Sequence, residues 1–140
     1  HAGADICKRF ADARKDVRYL NGRTATVEWN GITFKLTHPN SKGGKRPENQ
    51  LYKFAETIVP TGPTFLIQGH FHNFAYLRYK GMHLIQPGAF QGYTPFAQDI
   101  GKEPPVIGGY IISYSLENGV ERVTADYYRY DEVKNDYRRW

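Results

Sequence analysis

The sequence predicts a single domain, residues 1–140, of the α/β (α+β) class: a layered β-sandwich flanked by helices. Three observations predict it. Apolar residues recur at helical spacing in two stretches, one near the start and one after Pro47. Short runs of strand formers are paired around Asn30-Gly31, Lys80-Gly81 and Glu117-Asn118-Gly119, turn sequences that mark hairpins. Between the second helical stretch and the second hairpin stands an isolated apolar run, Thr64 to Ile67, of the kind buried on both faces. Helices, one buried strand and several hairpins suit layers that cover one another's apolar faces.

Taken in order, Ile6, Cys7, Phe10, Ala11 and Ala13 fall roughly at helical spacing with charges between them, which predicts an amphipathic helix over Ala4 to Lys15. Ala25 to Trp29 and Ile32 to Leu36 alternate apolar and polar residues about Asn30-Gly31, and the second of these strands runs into Thr37-His38-Pro39. Asn40 to Gln50, with paired glycines and cations, reads as an exposed basic loop. Pro47-Glu48 opens a helix with Leu51, Phe54, Ala55 and Ile58 on one face, and Pro60 limits it. The Thr64 to Ile67 strand delivers the chain to Gly69-His70-Phe71-His72. Phe74 to Tyr79 and Met82 to Gln86 form the second hairpin, and Pro87-Gly88-Ala89-Phe90 turns the chain. A Gly/Pro-rich excursion from Gln91 to Pro105 leads to the third hairpin, Gly109 to Leu116 and Val120 to Tyr130, and a charged tail. No internal repeat or linker divides the chain.

A chain of 140 residues, 40% of them hydrophobic, buries roughly two-thirds of its unfolded surface, enough for a core without staples. The single cysteine, Cys7, excludes an intrachain disulfide and a Cys-rich zinc site, and it points to a reducing, cytoplasmic compartment. No run approaches the ~18 apolar residues of a membrane span, and the amphipathic start does not read as a signal peptide. A net charge of +5 favours anionic partners such as phosphates or nucleic acid. Aromatic residues at 15%, with 11 tyrosines, point to a β-rich domain.

Of the 5 histidines, His38, His70 and His72 sit where a strand gives way to a loop. In an extended segment residues two apart project to the same side, so the imidazoles of His70 and His72 face one metal centre or two adjacent ones. The same pattern fits two polar residues at an exposed strand end around a buried Phe71. His38 matters by position. Its strand and the His70 strand are joined by a helix, as in a βαβ crossover, which brings both strand ends to one sheet edge. Three imidazoles then converge on that edge. His83, inside a strand, reads as a hydrogen-bonded core histidine.

Thr37-His38-Pro39, Gly69-His70-Phe71-His72 and Ile85-Gln86-Pro87-Gly88-Ala89 resemble the last two metal-ligand motifs, and the turn after them, of the calcineurin-like metallophosphoesterases. The resemblance extends over roughly Val17 to Asp131. It implies the C-terminal portion of a four-layer metallophosphoesterase fold and a metal-dependent phosphoester hydrolase: a phosphatase, phosphodiesterase or nuclease. It implies two divalent metal ions, Mn first and Fe, Zn or Ni after it, with His38 and His70 on one ion and His72 on the other.

The Asp-x-His, Gly-Asp-x-x-Asp and Gly-Asn-His-Asp/Glu motifs of that family do not occur here. The resemblance therefore implies that this chain supplies the C-terminal half of a dinuclear site, with the N-terminal half of the domain as its missing partner. Metals would then be weakly held by this chain alone, which would be inactive. The start of the chain falls at or just after the Asn-His motif, which makes His1 a candidate for the catalytic histidine. Lys42, Lys45 and Arg46, just past His38, are candidates for drawing in a substrate phosphate or a nucleic-acid backbone, and equally a solvated surface loop. An apolar face left open for the other half would promote self-association. The competing function is a non-catalytic phosphoesterase-like protein-interaction module. A cupin-type His-x-His site needs a Glu where this chain has Tyr76 or Leu77.

Overall fold

The structure is a computed structural model and describes residues 4–20, 22–39, 48–99, 101 and 104–130. Its elements are α1 (Ala4–Ala13), β1 (Thr24–Trp29), β2 (Ile32–Thr37), α2 (Glu48–Glu56), β3 (Thr64–Gln68), β4 (Phe74–Tyr79), β5 (Met82–Pro87), α3 (Pro95–Asp99), β6 (Gly108–Glu117) and β7 (Val120–Arg129). The fold is α+β. A five-stranded mixed sheet of order β1-β2-β3-β5-β4 carries α2 on one face and a two-stranded ribbon, β6-β7, on the other.

Asn30 and Gly31 take φ of 49° and 73°, the left-handed pair that a two-residue hairpin needs to match strand twist. The same geometry recurs at Lys80-Gly81 and Asn118-Gly119. It fixes the antiparallel registers Trp29↔Ile32, Tyr79↔Met82 and Glu117↔Val120. Helix α2 reverses the chain between β2 and β3, so these two pair in parallel, Phe34↔Phe65 through Thr37↔Gln68. Parallel pairing demands a crossover of this kind. The expected βαβ unit is therefore present.

Alternation along β3 and β5 divides the core into two chemistries. Leu66, Met82 and Leu84 face α2 and pack with Leu51, Ala55 and Ile58, with Tyr52, Phe54, Leu77 and Tyr79 around them. The other face presents Phe65 and His83, whose rings stack at 4.4 Å. Tyr114 of β6 meets Phe65 edge-on at 5.4 Å, and Tyr110 meets Phe74 in the same way. The ribbon is thus held by aromatic contacts, a geometry worth about 0.5–1.5 kcal/mol per pair beyond area burial.

At the start of β6 the chain passes so close to the end of β7 that a Cβ on Gly108 would lie 1.9 Å from the Tyr128 carbonyl oxygen. Only glycine fits there. Helix α3 is an element that the sequence reading misses, because five residues between Gly and Pro leave no room for an apolar period to repeat. Among the described residues no helix is long and apolar enough to cross a membrane.

Leu66 is fully buried at the centre of the α2-side cluster. Leu66→Ala is expected to lower unfolding free energy by about 2–5 kcal/mol, read from urea denaturation of the two proteins.

Candidate functional site

The parallel pairing of β2 and β3 sets the site. Thr37 and Gln68 are register partners, so the residues that follow them leave the sheet side by side. The Gly69 amide donates to the Thr37 carbonyl at 3.0 Å, and the His38 amide donates to the Arg23 carbonyl at 2.8 Å. These bonds fix both backbones just beyond the strand ends. The His38 and His70 rings consequently meet with centroids 5.1 Å apart, tilted by 58°, and Phe71 packs edge-on against His70. His38 is exposed and His70 half-buried, so the pair forms a solvent-facing rim.

His72 reaches its place differently from the sequence expectation. The strand ends at Gln68, and His70 and His72 adopt φ of 85° and 60°. Strand alternation therefore does not govern where these two rings point. The cause is topological. From β3 the chain must reverse and step past β5 to reach β4, a lateral move of about 10 Å at normal strand spacing. Left-handed residues supply the reversal.

The loop is braced on both sides. The Val106 amide donates to the His72 carbonyl at 3.0 Å, and the Gly88 amide donates to the Asn73 carbonyl at 3.2 Å. Val106 in turn accepts from the Ala89 amide at 3.0 Å. The segment before β6 and the Pro87-Gly88-Ala89 turn thus support the histidine loop, a role for Val106 that no local motif announces.

Behind the rim, Gln68 and Gln86 are each 2% exposed, and their Nε2 atoms have no hydrogen-bond partner among the described residues. They end two identical Leu-Ile-Gln triplets, and the pairs Leu66↔Leu84 and Ile67↔Ile85 bring those triplets into register. That repeat is the signal by which sequence reading alone finds them.

The donor chemistry bears on a metal. Two adjacent imidazoles suit a borderline ion such as Zn or Mn. The orphaned amides are N–H donors, which suit an anionic oxygen and not a cation. Among the described residues no three His, Cys, Asp or Glu side chains gather as a metal cage. Hence the described residues fit a ligand pair and do not fit a complete dinuclear centre. His1, Lys42, Lys45 and Arg46 lie outside the described residues.

The solved structures that resemble this chain include Vps29 proteins. Wild-type Vps29 from Entamoeba histolytica, crystallised as a Zn2+ complex, is 19% identical, with 80% of this chain and 65% of that one covered and a TM-score of 0.44. Chaetomium thermophilum Vps29 is 14% identical over 77% of this chain and 60% of its own, with a TM-score of 0.45. Vacuolar Protein Sorting 29 from Cryptosporidium parvum is 14% identical over 77% and 57%, with a TM-score of 0.39. This chain spans less than two thirds of their lengths. Likeness at this level assigns no activity, metal or partner. No protein-family model and no curated protein matches the sequence.

A non-glycine residue in the left-handed region costs about 1–2 kcal/mol. His70→Gly is expected to raise unfolding free energy by up to about 1 kcal/mol, after the entropy that glycine adds to the unfolded chain. Thermal and urea unfolding of the variant beside the wild type check this gain.

Proposed function

We propose that this chain is part of a metallophosphoesterase-like domain and that His38, His70 and His72 are imidazole ligands of its metal site. The observation that supports this reading is the His38–His70 ring pair at the shared end of two parallel strands. In open sheets that edge is where ligands are bound. The Thr-His-Pro, Gly-His-Phe-His and Gln-Pro-Gly-Ala motifs lie at or beside that edge.

The reaction that fits is hydrolysis of a phosphoester, by a phosphatase, phosphodiesterase or nuclease. A divalent metal, with Mn preferred and Zn, Fe or Ni as alternatives, supplies Lewis-acid polarisation and a nucleophile at neutral pH when bound. The chain's own part is to hold imidazoles on a braced backbone and to exclude rearrangement of the loop that carries two of them. The carboxylates needed to offset the charge of two ions would come from residues outside this sequence. Lys42, Lys45 and Arg46 would attract the anionic substrate, a nucleic-acid backbone among the options. A cytoplasmic setting accords with the single cysteine.

A second reading is a non-catalytic phosphoesterase-like interaction module.

Metal titration and turnover separate the two. By calorimetry the 140-residue chain should bind Mn2+ or Zn2+ weakly, with His38→Ala or His70→Ala losing more than the roughly 10–100-fold typical of an outer partner. With Mn2+ and an aryl phosphoester it should show no turnover by itself. In a full-length protein that hydrolyses the ester, either variant should abolish most of the activity. Unchanged metal affinity in both variants would refute the ligand assignment and leave the module reading.

A further inference from the structure

His83 of β5 is fully buried, and around it stands a polar network that the histidine rim does not use. Its Nδ1 lies 2.5 Å from the Tyr76 hydroxyl of β4, and its Nε2 lies 3.0 Å from Oε1 of Glu121 of β7 and 2.8 Å from Nη1 of Arg78 of β4. Arg78 Nη1 also donates to Glu121 Oε2 at 2.7 Å. An arginine only donates, so Nε2 either carries a hydrogen that goes to Glu121 or accepts from Arg78. Tyr76, both donor and acceptor, completes the ring in either case.

Glu121 is the member of this network that belongs to the ribbon. It stands one residue past the β6-β7 turn, opposite Leu116. The other end of the ribbon is anchored by backbone. Gly108 donates to the Ala89 carbonyl at 2.9 Å, and Val106 lies between His72 and Ala89. The ribbon is therefore fixed at Val106–Gly108, packed along its length by Tyr110, Tyr127 and Tyr114 on Phe74 and Phe65, and tied ionically near its turn end by one carboxylate. The far side of the sheet is closed by the aliphatic cluster under α2, which contains no ionisable group in its buried members.

We propose that Glu121 is an acid-release latch: ionised, it pins the β6-β7 ribbon to the sheet through His83 and Arg78, and protonated, it frees the ribbon while the α2 side stays folded. The groups that face the latch are Tyr76 and Arg78 from β4, His83 from β5 and Tyr114 from β6, whereas β3 contributes the uncharged Phe65. None is an anion that can replace Glu121. With Glu121 neutral, the Arg78 guanidinium in this network is left without a counter-charge. The hydrogen bonds from His83 and Arg78 hold the Glu121 carboxyl below the ordinary carboxylate range. The latch therefore contributes fully above that range and is lost as pH falls through the lowered value. Burial pushes the Tyr114 hydroxyl up, with the Glu121 charge adding to it, so Tyr114 stays neutral throughout.

Amide hydrogen exchange followed by mass spectrometry, on the whole chain from neutral to strongly acidic pH and corrected for intrinsic rates, tests this. Wild-type peptides from β6 and β7 should lose protection by about tenfold or more in acid while those from β3 and β5 keep theirs. Glu121→Gln should leave the ribbon poorly protected at every pH, with a flat profile. Arg78→Gln removes a cation that keeps Glu121 ionised, so release should move to higher pH. Simultaneous loss in ribbon and sheet, a wild-type profile in Glu121→Gln, or an unmoved release in Arg78→Gln would each overturn the latch.

Discussion

The parallel pairing of β2 with β3 is the constraint on which the rest of this molecule depends. Two strands that run the same way cannot be joined by a turn, so the chain must climb back along the sheet, and α2 does this. The apolar stripe that makes α2 a stable helix then becomes one wall of the core, with Leu51 and Ala55 buried on Leu66, Met82 and Leu84. The same pairing leaves Thr37 and Gln68 level at one edge, and His38 and His70 follow from that level. Core and rim are two consequences of one register.

The rim has a firmly held backbone. Four backbone hydrogen bonds fix the peptide units of Thr37 to His38 and Gly69 to Asn73, and two of the residues so held are histidines in the left-handed region. Strain of that kind persists where surrounding structure over-determines it, and it concentrates at sites that do chemistry. Beside this stand two buried amide nitrogens, Gln68 Nε2 and Gln86 Nε2, without hydrogen-bond partners among the described residues. Each unsatisfied donor costs on the order of 1–3 kcal/mol.

The two faces of the sheet are glued differently. Under α2 the fully buried contacts are aliphatic, with Tyr52, Phe54 and Tyr79 packed around them, and hydrophobic burial of this sort is insensitive to pH. Under the ribbon they are aromatic and ionic, with Phe65, Tyr110 and Tyr114 around the His83–Glu121–Arg78 network. The side chains that cross between ribbon and sheet there are separated by 38 and 43 positions in the chain.

The sequence by itself determined what local physics governs. Asn30-Gly31 and Asn118-Gly119 specify tight hairpins because asparagine and glycine tolerate positive φ, and at Lys80-Gly81 the glycine carries that signal alone. The Leu51, Phe54, Ala55 and Ile58 spacing specifies the face of α2, and the apolar run before Gly69 specifies a buried strand. The crossover logic that joins His38 to His70 was legible too, since helix-linked parallel strands must share an edge. Only the tertiary structure decided the left-handed path of His70 and His72, which follows from the need to step past β5. Only it decided that His83 meets Glu121, and that Val106 braces the loop. Those contacts join residues far apart in the chain, and no local periodicity records a neighbour that the fold alone supplies.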